Sequence, residues 1–197
     1  MRRRYVRLVE VRPATEADLD AMVEIMFAEP GPEALAFLPS IDGARPFSRD
    51  LWRRAGIDEF VVADDGGSVV GFAWCSDSDV SLLDGAKAAV AGWGITGPLR
   101  VLVRGWPRQR VDLEMPPGPK LLELQVHPSR RGEGIGGLLL EHVIVSVGGQ
   151  PLSLTTRSDN PARHLYERSG FAVTAAKDHP SFERRTGATG RILMVRP

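Results

Sequence analysis

Leu124-Gln125-Val126-His127-Pro128-Ser129-Arg130-Arg131-Gly132-Glu133-Gly134-Ile135-Gly136-Gly137-Leu138-Leu139-Leu140 is the stretch on which the reading of this chain turns. Leu121–His127 is an apolar run that predicts a strand, and Pro128–Gly134 is a loop. Ile135, Leu138, Leu139, His142, Val143 and Ser146 then keep a helical rhythm until Gly148-Gly149. Glycines in such a loop let the backbone come close to a ligand and aim successive N–H groups at it. The helix beginning there adds the positive end of its dipole, so the turn is suited to a pyrophosphate. Arg130 and Arg131 are placed to add charge-assisted donors at its rim.

That geometry asks for a phosphate-bearing ligand and does not name it. A P-loop needs Gly-Lys-Ser/Thr at the end of the motif, and Gly136-Gly137-Leu138 has neither the lysine nor the hydroxyl. Gly132, Gly134 and Gly137 satisfy G-x-G-x-x-G, with Asp159 about 20 residues downstream as a dinucleotide fold requires. In that fold the first glycine follows its strand directly, whereas His127–Arg131 intervene here. The chain left after the loop is also short for paired βαβαβ halves.

Downstream, Pro151–Thr156 reads as a short strand. Asn160-Pro161 reads as the N-cap and first position of a helix that Gly170 ends. Phe171–Ala175 and Arg191–Arg196 are further strands, with a polar loop between them. Upstream, Tyr5–Arg12 alternates like a half-buried strand, and Thr15-Glu16-Ala17-Asp18 has the form of a capping box. Leu19, Met22, Val23 and Met26 follow at helical spacing. Pro30, Pro32 and Pro39 predict a loop with a short helical piece, and Ser48–Ala55 predicts a second helix stopped by Gly56. Glu59–Ala63 and Ser68–Trp74 flank Asp64-Asp65-Gly66-Gly67, a strong hairpin signal. Between Ser76 and Pro119 the expectation is a helical insertion. Leu99, Leu102, Val103 and Trp106 mark one face of a helix there, which either packs or shapes a substrate site. The expected class is α/β, a mixed central sheet flanked by helices in a single domain over 1–197.

The 197 residues carry 25 Lys+Arg against 25 Asp+Glu, so no basic excess favours nucleic acid. Arg2–Arg4 form a local run of the kind found at solvated termini. Cys75 is the only cysteine, which excludes an intrachain disulfide and any zinc site built on several cysteines. The four histidines show no ligand spacing, so no metal is expected. Arg7 and Glu10 interrupt the N-terminal apolar residues, so no secretory h-region is formed. No stretch approaches the roughly 18 apolar residues of a membrane span. A cytoplasmic protein with no membrane or nucleic-acid partner is expected.

The quoted segment resembles the signature of the GNAT acetyltransferase family, whose core Gln/Arg-x-x-Gly-x-Gly/Ala is matched by Arg131, Gly134 and Gly136. Asn160–Phe171 is similar to the family's Asn-x-x-Ala-x-x-Leu-Tyr-x-x-x-Gly-Phe. Ala162, Leu165, Tyr166, Gly170 and Phe171 fall in register, while the Asn position falls on Asp159, one residue before Asn160. Val11–Thr15 and Val69–Phe72 are also family-like, so the resemblance leaves out chiefly Ser76–Pro119 and Lys177–Gly190.

The resemblance implies a GNAT fold that binds acetyl-CoA and passes its acetyl group to a primary amine by direct attack. On it, the backbone around Gln125, Val126 and His127 would hold the pantetheine arm and help polarise the thioester carbonyl. The amides of Arg131, Gly132, Glu133, Gly134, Ile135, Gly136 and Gly137 would grip the pyrophosphate. Asn160 would reach the cofactor, with a plain N-cap as its alternative. Tyr166 would act as general acid, with a packed core tyrosine as its alternative. Glu123, on the strand leading to the acetyl-binding edge, is the candidate base, set against a strand carboxylate without a catalytic role. A non-catalytic acyl-CoA-binding sensor or interaction module on the same fold is the rival reading. The acceptor stays open, as a small molecule or a peptide, and so does a homodimer.

Overall fold

The computed structural model describes residues 9–197, which build one seven-stranded sheet in the order β1-β2-β3-β4-β5-β7-β6. The part of the expected Tyr5–Arg12 strand before Val9 lies outside the described residues. The remainder forms β1, Glu10–Pro13, at the sheet edge, where a proline can end a strand without breaking a ladder. Strands β2 (Phe60–Asp64) and β3 (Val69–Ser76) form the expected hairpin. Its turn is tied by Asp64 Oδ1, which accepts from the Gly67 N–H at 2.6 Å. Strand β4 (Lys120–Val126) joins β3, and β5 (Leu152–Arg157), β7 (Gly190–Arg196) and β6 (Ala172–Asp178) complete the sheet. Every neighbouring pair is antiparallel except β4 and β5.

Helices cover both faces. On one, α6 (Ile135–Ser146) buries Leu139, Leu140 and Val143 against Ala73, Leu121 and Leu154. On the other, α1 (Leu19–Ala28) and α3 (Ile41–Ala55) press Leu19, Met22 and Trp52 onto Phe60, Phe72 and Trp74. Each such side chain, taken fully out of water, is worth about 1.5–3 kcal/mol. The capping signal at Thr15 holds: Asp18 Oδ2 accepts from the Thr15 N–H and hydroxyl, both at 2.8 Å. Arg12 clamps Asp18 from outside and keeps its carboxyl at about 2, below the usual range, against the opposing pull of burial.

Three elements differ from the sequence expectation. Helix α3 starts at Ile41 and runs through Pro46, because Ser40 caps its N-terminus and Ala44 and Trp52 are buried along it. A helix α8 (Pro180–Thr186) occupies the expected polar loop, whereas α2 (Pro32–Phe37) is the short helical piece expected of the proline-rich stretch. The helix expected from Asn160 begins later, as α7 (Arg163–Arg168).

Between β3 and β4, in the stretch read from the sequence as a helical insertion, the chain forms α4 (Leu82–Trp93) and α5 (Gly97–Gly105). Helix α4 lies directly on α3, since a Cβ on Gly43 would collide with the Trp93 indole and the Gly92 carbonyl. Trp93 packs on Phe47 and donates from Nε1 to Ser40 Oγ at 3.0 Å, so it serves this docking. The apolar face of α5 is not packed: Leu99, Leu102, Val103 and Trp106 are all exposed.

Candidate active site

Strand β4 is the floor of the site, and its two edges behave differently. Toward β3 it is paired along its length, from Gly71↔Val126 to Ser76↔Lys120, and the His127 N–H continues the ladder to the Val70 carbonyl at 2.9 Å. The register jumps from Trp74↔Glu123 to Cys75↔Leu121, which leaves Leu122 as the extra residue of a bulge. A bulge turns its strand locally and re-aims the side chains beside it. Toward β5 the only ladder pair is Lys120↔Ser153, after which the two strands part. The β5-facing edge of β4 beyond Lys120 therefore has no ladder partner among the described residues, which leaves an opening between the two strands.

At the mouth of this opening lies the glycine turn. Pro128–Arg130 makes one 3-10 turn, fixed at its start by His127 Nδ1 accepting from the Ser129 N–H at 3.3 Å. Gly132 and Gly134 then take φ of 83° and 84°, which L side chains rarely adopt, and α6 begins. The first acceptor taken inside the turn is the Gly134 carbonyl, used by the N–H groups of Gly137 and Leu138. The five preceding amides, of Gly132, Glu133, Gly134, Ile135 and Gly136, have no acceptor among the described residues. Free amides at a helix start form an anion cradle.

Both arginines of the turn are ion-paired. Arg130 is held by Asp65 and Glu133, both at 2.8 Å, and Arg131 by Glu29 at 2.6 Å. These pairs fix the rim of the turn to Glu29 at the end of α1 and to Asp65 of the β2–β3 hairpin and neutralise much of its charge.

The two candidate catalytic side chains lie on β4 and α7, near enough for the Glu123 charge to act on the Tyr166 phenol. Glu123 is half-buried on β4, and Gln125 Nε2 donates to its Oε2 at 3.2 Å. Burial raises the Glu123 carboxyl above the usual range, with the Gln125 bond and the Arg191 charge opposing it. Tyr166 sits on α7, edge-on to Phe171 with ring centroids 5.9 Å apart. Burial, reinforced by the Glu123 charge, pushes its phenol up to about 12. The Tyr166 hydroxyl has no hydrogen-bond partner among the described residues. Asn160 Oδ1 accepts from the Ala162 N–H at 2.9 Å and its Nδ2 donates to Thr156 Oγ1 at 2.6 Å, so Asn160 caps the turn leading into α7.

Sequence reasoning passed over a charged group beside Glu123. Arg191, nearly buried on β7, pairs with both Glu33 oxygens at 2.5 and 2.6 Å and donates to the Thr155 carbonyl at 3.0 Å. Arg108, from the end of the insertion, reaches the same Glu33 at 3.2 Å. A small core of Phe37, Val111, Phe182 and Ala188 holds these segments together, with Phe37 stacked on Phe182. Glu33 and Arg191 stand 158 positions apart, so no spacing rule links them. The available signal was one arginine opening the apolar run Ile192-Leu193-Met194.

Cys75 is half-buried, and burial together with Glu59 and Asp77 pushes its thiol up to about 11. It stays a protonated thiol at neutral pH. Among the described residues no group of three or more His, Cys, Asp or Glu could hold a metal, and no helix is long and apolar enough to cross a membrane.

Comparison with known proteins bears on this arrangement directly. Curated proteins give no match. Among solved structures, the fold is similar to a histone acetyltransferase HPA2-related acetyltransferase from Corynebacterium glutamicum (24% identity, 96% of each chain, TM-score 0.68). It is also similar to an N-acetyltransferase from Staphylococcus aureus (18% identity, 94% of this chain and 99% of that one, TM-score 0.62). A third similar structure is Naa20 of Chaetomium thermophilum in complex with a bisubstrate analogue (19% identity, 96% and 86%, TM-score 0.56). The profile of the Acetyltransferase (GNAT) domain matches residues 56–173, a span that takes in the hairpin, the bulged strand, the glycine turn and Tyr166. With the match covering more than half of its length, the chain belongs to the GNAT acetyltransferase family.

Proposed function

We propose that this protein is an N-acetyltransferase that uses acetyl-CoA and acts on a primary amine by direct transfer. The observation that carries the reading is the row of five unclaimed amides from Gly132 to Gly136 at the mouth of the opening between β4 and β5. A diphosphate fits the amides, and an extended amide-bearing arm fits the unpaired edge of β4 at Gln125, Val126 and His127, as an added strand would. Asn160 keeps one lone pair on Oδ1 and one proton on Nδ2 for the same arm, beyond its capping bonds.

Acetyl-CoA, when bound, supplies a thioester carbonyl for the amine to attack and a thiolate that leaves. Glu123 accepts the proton that a protonated amine must shed before it can attack, directly or through water. The raised carboxyl brings Glu123 nearer to working pH than an ordinary glutamate. Tyr166, a neutral phenol at any physiological pH, gives a proton to the departing sulfur. The transfer needs no acyl-enzyme, since Cys75 is a protonated thiol. Acceptor selection falls to α2 and the end of the insertion, which deliver Glu33 and Arg108 to the cleft.

The test is CoA release, followed with a thiol reagent, across small polyamines, amino acids, aminoglycosides and N-terminal peptides. Turnover with at least one amine is the expected result. Tight acetyl-CoA binding with no turnover over the whole panel would replace this reading by the sensor on the same fold.

A further inference from the structure

Arg191 is the one buried arginine among the described residues, 7% exposed, and the strand it leans on fixes where its guanidinium lies. In β5 the Ser153 N–H donates to the Pro119 carbonyl at 3.1 Å, on the β4 side. The Ser158 N–H donates to the Gly190 carbonyl at 3.0 Å, on the β7 side. Backbone groups of an antiparallel strand alternate between its two neighbours, and β5 pairs with β7 without a register shift. Thr155, two residues after Ser153, therefore turns its carbonyl toward β4, which has no rung left to offer it. Arg191 takes that place: its Nη2 donates to the Thr155 carbonyl at 3.0 Å and to Thr155 Oγ1 at 2.8 Å.

The guanidinium also stands on the face that carries Glu123. Leu152 and Leu154 pack in the core beneath α6, so the alternation of side chains sends Thr155 to the other face. Glu123 and Gln125 lie opposite Trp74 and Phe72 in the β3–β4 ladder, and both aromatics pack on that other face with α1 and α3. Glu33 completes the arrangement from α2, with both of its oxygens on Arg191 Nη1. Glu123 is thus faced by Arg191 from β7, Glu33 from α2, Arg108 from the turn after α5 and Tyr166 from α7.

Holding α2 in place does not require this ion pair. Phe37 of that helix is already buried with Val111, Phe182 and Ala188, and a buried ion pair loses in hydration about as much as it gains in attraction. We propose that Arg191, held by Glu33, is a positioning residue of the acetyl transfer: it closes the gap between β4 and β5 on the face of Glu123 and supplies the positive charge that Glu123 faces before it takes the amine proton. The proposal rests on the acetyltransferase reading, with Glu123 as the base. Arg191 favours the carboxylate form of Glu123 and Glu33 opposes it, so removing either partner of the one pair acts in opposite directions.

The test compares Arg191→Gln with Glu33→Gln in the full chain. Two readouts follow Glu123: the acid limb of kcat/KM, and carbon-13 NMR of the glutamate carboxyls, with its signal assigned by loss in Glu123→Gln. Both should move up by roughly one pH unit in Arg191→Gln and down by roughly half a unit in Glu33→Gln. Arg191→Lys should keep the titration near that of the wild type yet lower kcat about tenfold, because an ammonium cannot bridge Glu33 and Thr155 as the planar fork does. Should Arg191→Gln fail to fold, the direction of the shift in Glu33→Gln decides. Turnover with a titration that stays put, or that moves the same way in both variants, would overturn this proposal alone. No turnover of any amine by the wild type would sink the acetyltransferase reading and the proposal with it.

Discussion

Replacing Glu123 by Gln separates two properties of one carboxylate. Burial raises its titration above the ordinary glutamate value near 4.3, so its ionisation costs more in the folded protein than in the unfolded one. The stability involved is present below the unfolded value and is lost as pH rises through the folded value. Glu123→Gln should therefore raise the melting temperature at neutral pH, with the advantage fading below about pH 4. The same variant should lose about 10²–10³-fold in kcat/KM at neutral pH. It should also lose the acid limb of the wild-type profile, which rises with pH as Glu123 becomes a free base. Calorimetry and a pH series read the two effects independently. Tyr166→Phe removes a hydroxyl that holds no partner among the described residues, so folding should be unaffected. A thiolate is a fair leaving group, so the loss of rate should stay within about 10–100-fold, and it should be largest for the least basic amines. A variant as active as the wild type would make Tyr166 only a packing residue against Phe171.

Among the elements, the glycine turn is the most exposed to test. Gly134 holds φ 84° as the residue before α6, and nothing lies within 4 Å of where its Cβ would stand. Gly134→Val therefore meets no clash, but it puts a β-branched side chain in a conformation costing roughly 1–2 kcal/mol. The expected outcome is a weaker affinity for acetyl-CoA, seen as a raised KM and a smaller thermal shift, with little change in far-UV dichroism.

The turn was legible in the sequence because every part of its physics is local. Strand, glycines and helix succeed one another within a few residues, and the Asp64–Gly67 hairpin is legible for the same reason. Helix α8 was not, since His179 caps it through Nδ1, a role with no common sequence signature, and Phe182 is its one buried large side chain. The reach of α3 through Pro46 was hidden too, because burial of Ala44 and Trp52 outweighs a lost hydrogen bond only in three dimensions. The exposed stripe of α5 has the spacing of a packing face, and periodicity cannot report what lies opposite it. The Glu33–Arg191 pair depends wholly on chain closure. Glu123, by contrast, owes its position to the strand that carries it, and that strand is plain in the apolar run around it.

Taken as a whole, the molecule should respond to its cofactor as a linked equilibrium. Acetyl-CoA at about 100 times its dissociation constant should add about 2.7 kcal/mol to the unfolding free energy and raise the melting temperature by several degrees. NAD at the same concentration should leave it unchanged, because no second βαβ half is present among the described residues to receive it. A reversed preference would point back to the dinucleotide reading and away from the family's chemistry.

The single rung between Lys120 and Ser153 gives the seven strands a seam. On one side β1 to β4 form a four-stranded ribbon clasped by α6, and on the other β5, β7 and β6 form a three-stranded one. Acetyl-CoA bound along the seam as proposed would supply hydrogen bonds to the unpaired edge of β4, acting as an added strand that stiffens the protein as it binds. Amide exchange at β5 and α7 should slow on loading even where no atom of the guest makes contact, since rigidity across the seam is borrowed from the ligand.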